Sequence, residues 1–438
     1  MRHAHLRRNL AGAAAALALA AGASPQAEPV QRAAAAACRD GGAWDMACLR
    51  ARYAGPPSQW PAPAVDPGIT WTEWGIVPPA DAPPLSWMAA NAGRPELARD
   101  VRKPEIVALG QMLFFDAHLS RKGQVSCASC HMPQRAFTDG RPLAVGEDRL
   151  MGRRRSPSLL AAPFAPRLFW DGRADTLKAQ VLGPVQDSRE MNHDLGSAIA
   201  RLQALPPYPA QFLKAFGPAT DNAASDSRPA SDSAAESTST SFSLSDSASK
   251  ATSLSASGSA PPSDREAVDS DRLARALAAY VATLRPQASR FDAFLGGDRN
   301  ALNDTELRGM HLFRTQARCM NCHSGPLLTD HQFHNIGLSF YGRRNQDLGR
   351  FEVTRDPADL GKFRTPSLRN VSQAGPWMHN GLFADLKGLL RMYNGGMGRE
   401  AAPADPPDPY APRKSEHIRP LDLSADDIDA LLAFMKVL

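Results

Sequence analysis

The chain has 438 residues, 43% of them apolar, enough for two domains with separate cores. A formal charge of +5 falls to about +2 without Arg2, Arg7 and Arg8 of an N-terminal leader, which is no nucleic-acid footprint. Beyond that leader no apolar run is long enough to span a bilayer.

In chain order, residues 1–23 read as a secretory signal peptide: Arg7 and Arg8, an Ala/Leu core from Leu10 to Ala21, and Ala21-Gly22-Ala23 as the cleavage site. An exported, periplasmic chain is the expectation. Residues 24–100 are rich in Pro and Trp (Trp60, Trp71, Trp74, Trp87), show little periodicity, and read as an irregular extension wrapping the first domain. Of six cysteines, four fall in CxxC pairs; for the others, Cys38 and Cys48, an exported chain favours a disulfide over free thiols.

From Pro104, Ile106, Leu109, Met112, Leu113 and Phe114 recur at helical spacing and lead into Cys127-Ala128-Ser129-Cys130-His131. A Gly/Arg-rich loop follows over 138–157, then short helices over 177–182 and 195–216. Residues 219–263 are a Ser/Ala/Asp/Thr tract with almost no large apolar side chains. Such a tract cannot offset its ordering entropy and reads as a disordered insertion. Helix resumes at Asp271 (Leu273, Leu277, Tyr280, Val281, Leu284) and stops at Pro286. A helix from Asp304 to Phe313, capped by Asn303 or Asp304, delivers Cys319-Met320-Asn321-Cys322-His323. The chain closes with an amphipathic helix opened by Ser424-x-x-Asp427. Strand signals are nearly absent, and the halves 101–285 and 286–438 are alike.

Two thiols three positions apart can form thioethers to the two vinyl groups of one haem, and the next histidine then reaches the iron. Cys127, Cys130 and His131 would hold one c-type haem, and Cys319, Cys322 and His323 a second. Covalent attachment to an unfolded chain after export favours the general secretory route over the twin-arginine route hinted at by Arg7-Arg8. Zinc would need further Cys or His ligands close by. None follows Cys127 at close spacing, whereas His331 and His334 keep that alternative open after Cys319. A thioredoxin-like pair lacks its βαβ context at both places.

Around these motifs stand, in order, Leu113-Phe114-Phe115-Asp116, Phe169-Trp170-Asp171-Gly172-Arg173, Glu190-Met191, Thr365-Pro366-Ser367-Leu368-Arg369-Asn370-Val371 and Met378-His379-Asn380-Gly381. From about Pro104 to the C-terminus, broken only by the Ser-rich tract, the chain resembles the bacterial di-haem cytochrome c peroxidase family. That family includes the methylamine-utilisation enzymes that build tryptophan tryptophylquinone. The resemblance implies an all-α fold of two cytochrome c-like haem domains with long loops, the first haem peroxidatic and the second for electron transfer. It implies that Trp170 lies between the haems, where an indole offers a stop for oxidising equivalents; read alone, Trp170 would be a core aromatic. It implies that Glu190 lies in the distal pocket of the first haem, with Gln180 and Pro184 beside it. A carboxylate there can move a proton from the near to the far oxygen of a peroxide. Outside such a pocket Glu190 would be a solvated helix residue.

The departures from the family pattern are specific. Members with a resting-state cap carry a histidine sixteen residues after the first CxxCH histidine; Glu147 stands there, and no histidine occurs between His131 and His193. An open first haem is therefore expected, with Glu147 or Met151 as alternative caps. Where many members place a methionine ligand for the second haem, fourteen residues after His379, this chain has Tyr393, as the quinone-forming enzymes do. A phenolate lowers the potential relative to a thioether; Met392 and Met397 are the alternative ligands. Calcium in this family sits between the haems on an asparagine and backbone carbonyls, positions that fall at Arg155, Ala374 and Pro376. A guanidinium cannot ligate a cation and could itself supply the charge, which puts calcium in doubt. His331 and His334 read as structural or propionate-contacting, His379 as a hydrogen-bonding residue near the haems, and His118 and His193 as surface residues.

The implied function is a periplasmic peroxidase that reduces hydrogen peroxide to water, with electrons from a small cytochrome or copper protein. An alternative is a maturation enzyme that uses peroxide to oxidise Trp or Tyr of a partner protein; the missing cap and Tyr393 lean that way. A non-enzymatic di-haem electron carrier is the third reading. A homodimer is compatible with all three.

Overall fold

A computed structural model describes residues 38–40, 42–77, 95–218, 267–398, 408 and 410–438. The expected signal peptide, Trp87 and the Ser-rich tract at 219–263 lie outside the described residues. The elements are β1 (Arg39–Asp40), β2 (Ala43–Trp44), α1 (Met46–Arg52), α2 (Pro95–Asp100), α3 (Pro104–Phe115), α4 (Cys127–Cys130), α5 (Leu177–Gln186), α6 (Leu195–Ala204), α7 (Pro207–Phe216), α8 (Ser270–Thr283), α9 (Arg290–Leu295), α10 (Asp304–Arg314), β3 (Phe333–His334), α11 (Phe351–Thr354), β4 (Phe363–Arg364), α12 (Leu386–Asn394) and α13 (Ala425–Met435). The chain is mainly helical; β1–β2 and β3–β4 are two-residue antiparallel pairs. Among the described residues no helix is long and apolar enough to cross a membrane.

Local chemistry sets the helix ends. Pro104 opens α3, where its missing N–H costs nothing. Asp269 caps α8, Ser424 caps α13, and Asn303 forms a reciprocal box with Glu306 at the start of α10, so Asn303 rather than Asp304 is the cap. The helical stretch expected over 195–216 is two helices, because Pro206 and Pro207 cannot donate to a continuous ladder.

Each half is built on one close helix crossing. α3 meets α8 at Gly110, where an added Cβ would collide with the Ala276 carbonyl and the Tyr280 Cβ. α10 meets α13 at Gly309 in the same way, against the Ala430 carbonyl and the Phe434 Cβ. Around the first crossing Ile106, Leu113, Val181, Phe212 and Leu277 form one apolar core. Around the second, Phe291, Met310, Phe313, Leu389 and Phe434 form another.

The N-terminal extension does not wrap the first half. Leu49, Tyr53, Trp60 and Trp74 are part of the second core. Glu73 pairs with Arg314, Arg50 with Asp304, and the N–H of Gly325 donates to the Thr72 carbonyl at 2.8 Å. Its large indoles find enough apolar surface there, a preference that a stretch without periodicity does not advertise. Cys38 and Cys48 form a disulfide that closes the β1–β2 hairpin onto α1, with Cα atoms 5.4 Å apart. Among the described residues α2 packs with the first half, where Asp100 receives two 2.8 Å hydrogen bonds from Arg275 of α8, and Val77 packs beside Phe164.

Alanine in place of a helix-interior glycine ordinarily gains about 0.5–1 kcal/mol. At Gly309 overpacking of about 1–3 kcal/mol should override that gain. Gly309→Ala is therefore expected to lower the thermal unfolding midpoint of the holoprotein. An unchanged or higher midpoint would mean that α10 and α13 can separate without cost.

Candidate functional site

The two CxxCH motifs place their histidines alike. α4 carries Cys127 and Cys130 behind a Ser126–Ser129 capping box, and His131 Nδ1–H donates to the Phe137 carbonyl at 2.9 Å. At the second motif a tight turn over Cys319–Asn321 precedes His323, whose Nδ1–H donates to the Leu328 carbonyl at 2.8 Å. The carbonyl fixes the tautomer in each case and leaves Nε2 as the lone-pair nitrogen. Burial holds both imidazoles below their ordinary pKa, and therefore neutral.

Each histidine lines a cavity. The first is bordered by Cys130, His131, Gln180, Pro184 and Glu190; the second by Cys319, Cys322, His323, His379 and Tyr393. They hold about 1300 and 1900 Å³ respectively, counting the space at their mouths, room for a macrocycle. Arg155, Trp170 and Arg364 border both cavities and form the wall between them. Trp170 is buried, and its Nε1–H donates to the Arg155 carbonyl at 2.9 Å. Its ring meets His379 edge-on at 6.3 Å, and His379 stacks on Phe363 at 3.6 Å.

Glu190 reaches its cavity through a folded turn. After α5 the chain reverses, with Glu190 N–H bonded to Asp187 O and Met191 N–H to Pro184 O. Burial pushes the Glu190 carboxyl up to about 7, helped by Asp187 and opposed by Arg173. Gln180, one turn before Pro184 on α5, lines the same cavity.

Neither alternative cap faces the first cavity. Glu147 is only 1% exposed, and its carboxylate accepts from the backbone N–H groups of Lys122 and Gln124 at 2.8–3.3 Å. Met151 points outward, 61% exposed. His193 is not a surface residue: it is buried, with Nδ1 donating to the Leu119 carbonyl at 3.1 Å. His118 is exposed and pairs with Asp116.

At the second cavity Tyr393, near the end of α12, is part of the lining, and burial raises its phenol above the ordinary value. Met392 lies outside at 39% exposed; Met397 is buried in the second core but absent from the lining. At the positions considered for calcium, the Arg155 guanidinium donates to the Ala374 carbonyl. That carbonyl is already engaged by a cation, and the donor set does not fit a calcium ion.

For zinc, Cys322, Asp330 and His334 are the described residues that approach one another closely enough. His334 Nε2 already sits 2.7 Å from Asp330 Oδ2, and His331 is not in the group. Burial and Arg364 push His331 down to about 4. Sequence reasoning missed Arg364 of the wall, Phe363 beneath His379, and Arg154, which joins Asp171, Asp347 and Glu352. Arg364 directly precedes the Thr365-Pro366 phrase, the one signal that could have drawn attention to it.

The residues fit two covalently held haems. Each motif offers two thiols and a neutral imidazole with Nε2 unengaged by the carbonyl. Two cavity residues also carry buried polar atoms without partners among the described residues, Arg155 Nε and His379 Nε2, as a polar-edged guest would require. Residues 104–300 match the family described as di-haem cytochrome c peroxidase. The chain is 32% identical over 293 residues to methylamine utilization protein MauG of Methylophilus methylotrophus, covering 66% of this chain and 72% of that protein. It is 29% identical over 363 residues to cytochrome-c peroxidase IdrP1 of Pseudomonas sp. (strain SCT), covering 76% and 80%. A solved MauG-like protein associated with microbial copper homeostasis superposes with a TM-score of 0.60 at 28% identity, covering 84% of this chain and 95% of that one. Sequence relatives and fold neighbours converge on one assignment: this chain belongs to the di-haem cytochrome c peroxidase family of oxidoreductases.

Proposed function

We propose that the chain is a hydrogen peroxide reductase with one c-type haem on Cys127, Cys130 and His131 and a second on Cys319, Cys322 and His323, in two cytochrome c-like domains. When bound, the first haem would offer peroxide an open iron position and the second would store and pass single electrons. The observation that carries the reading is Glu190, a half-buried carboxylate whose pKa is raised to about 7, in the cavity that His131 lines. Glu190 accepts the proton of the nearer peroxide oxygen and returns it to the farther one, so that water leaves. The Gln180 amide donates a hydrogen bond that orients the peroxide. Trp170, in the wall, carries electrons between the two cavities. Tyr393 would help to hold the second haem, a role supported by its place in the lining and by the outward or core positions of Met392 and Met397. Glu147 and Met151, turned to other tasks, leave the first site open at rest. The Cys38–Cys48 disulfide supports export to the periplasm. Electrons would come from a small cytochrome or copper protein.

The second reading, a maturation enzyme that oxidises Trp or Tyr side chains of a partner protein, draws on Tyr393 and on the relatives named MauG. It shares every step at the first cavity and differs only in the electron source.

As a base Glu190 must be ionised, so kcat/KM for peroxide should rise as pH rises through about 7 and then level. Glu190→Gln should lower kcat/KM by about 10²–10⁴-fold and abolish that limb of the profile. A variant that keeps the wild-type profile would remove Glu190 from the chemistry. A guanidinium where the cation would sit predicts that neither added calcium nor a chelator changes the absorption spectrum or the turnover of the holoenzyme. A calcium-dependent change in either would contradict this assignment of Arg155.

A further inference from the structure

The extension packed on the second core is unusually rich in oxidisable side chains. Five of the chain's seven tryptophans lie in residues 24–100, and four of them, Trp44, Trp60, Trp71 and Trp74, are among the described residues. Three of the four fall in one connected series with Tyr53. Trp74 is buried, and its Nε1–H donates to the backbone carbonyl of His323 at 3.2 Å, on the histidine side of the second cavity. Trp74 and Trp60 share the Arg314 guanidinium, 5.0 and 5.4 Å from the two ring centroids. Glu73 pairs with Arg314 and offsets the charge that would otherwise oppose removing an electron from either indole. Trp60 meets Tyr53 edge-on at 5.2 Å. The Tyr53 hydroxyl lies 2.8 Å from His311 Nδ1, and the His311 ring meets that of Trp44 at 5.5 Å. Trp44 is half-buried at the surface, held by Arg39, which stacks on it at 4.1 Å and pairs with Asp427.

Oxidising a buried tyrosine requires somewhere for its proton to go, and the His311 nitrogen at hydrogen-bond distance provides it. The series runs from Trp74 across the shared Arg314 to Trp60, on to Tyr53 and, by way of His311, to Trp44 at the surface.

We propose that Trp74, Trp60, Tyr53 and Trp44 form an electron relay that joins the second haem site, from the side of His323, to the protein surface at Trp44. The proposal rests on the peroxidase reading and deepens it by naming where electrons enter. In turnover each hydrogen peroxide takes up two electrons and two protons and yields two waters. The electrons pass inward one at a time from a reductant at Trp44. Tyr53, when oxidised, gives its phenolic proton to His311 Nδ1 and recovers it on re-reduction.

With no reductant present, the same path must supply electrons from its own outer end. Trp44 then loses two electrons and two protons and gains the oxygen of one water, giving hydroxytryptophan. The test is to treat the holoprotein with hydrogen peroxide alone and to measure hydroxylation of Trp44 by peptide mass spectrometry. Sulfoxide at the exposed Met151 serves as a reference for direct attack by peroxide. Trp60→Phe is expected to reduce Trp44 hydroxylation several-fold, with haem absorbance and Met151 sulfoxide unchanged. Tyr53→Phe, which preserves the packing and removes only the hydroxyl, should do the same, and it decides the matter if Trp60→Phe fails to fold. Peroxide consumed with undiminished Trp44 hydroxylation in Tyr53→Phe and in any folded Trp60→Phe overturns the relay alone. Wild-type protein that leaves peroxide unconsumed overturns the peroxidase reading and the relay with it.

Discussion

Arg155 holds the wall between the two cavities from three directions. Its N–H donates to the His379 carbonyl at 2.7 Å, its own carbonyl accepts from Trp170 Nε1 at 2.9 Å, and its guanidinium donates to the Ala374 carbonyl. These bonds tie the loop over 138–157, from the first half, to the turn over 374–379 in the second. They also set Trp170, an indole that borders both cavities. Buried backbone groups are costly when unpaired, so the loop cannot shift without exposing a broken bond on each side of the wall. The distance between the two sites is in this sense a property of Arg155.

The same residue governs the electrostatics. Burial pushes the Arg155 and Arg364 guanidiniums down to about 10, with Asp139 and Asp330 respectively opposing the shift, so both remain charged at neutral pH. Neither forms an ion pair with a carboxylate among the described residues, and a buried cation is stable only when an anion or dipole answers it. Haem propionates would supply such anions to both cavities at once. A positive charge built into the chain then occupies the ground that a bound metal would otherwise hold, and it cannot be titrated away or removed by a chelator. Trp170 stands in the wall of the second site, and Trp74 lies behind His323, bonded to its carbonyl.

Much of this could be read from the residues, for identifiable reasons. Haem attachment is local chemistry, and CxxCH states it in five residues. Helical periodicity located α3, α8, α10 and α13, because each buries one face against a partner. Trp170, Glu190 and Gln180 were reachable only through the phrases around them, since a single Trp or Glu has no local signature. The placement of the extension was illegible: indoles without periodicity say that they will be buried, not against which half. His193 was misassigned because its partner is a backbone carbonyl 74 positions away in the chain, at Leu119. Glu147 invited comparison with an iron cap, whereas its carboxylate is held by the backbone N–H groups of Lys122 and Gln124, a long-range pairing with no sequence pattern.

The central claim is an open first site beside a closed second one. It is tested most directly by the EPR and optical spectra of the purified ferric holoprotein, before and after stoichiometric peroxide. The account predicts one high-spin and one low-spin haem, with both responding to peroxide without prior reduction. Two low-spin haems inert to peroxide would contradict it, since a side chain would then have to cap the first iron despite the outward course of Met151 and the engaged carboxylate of Glu147.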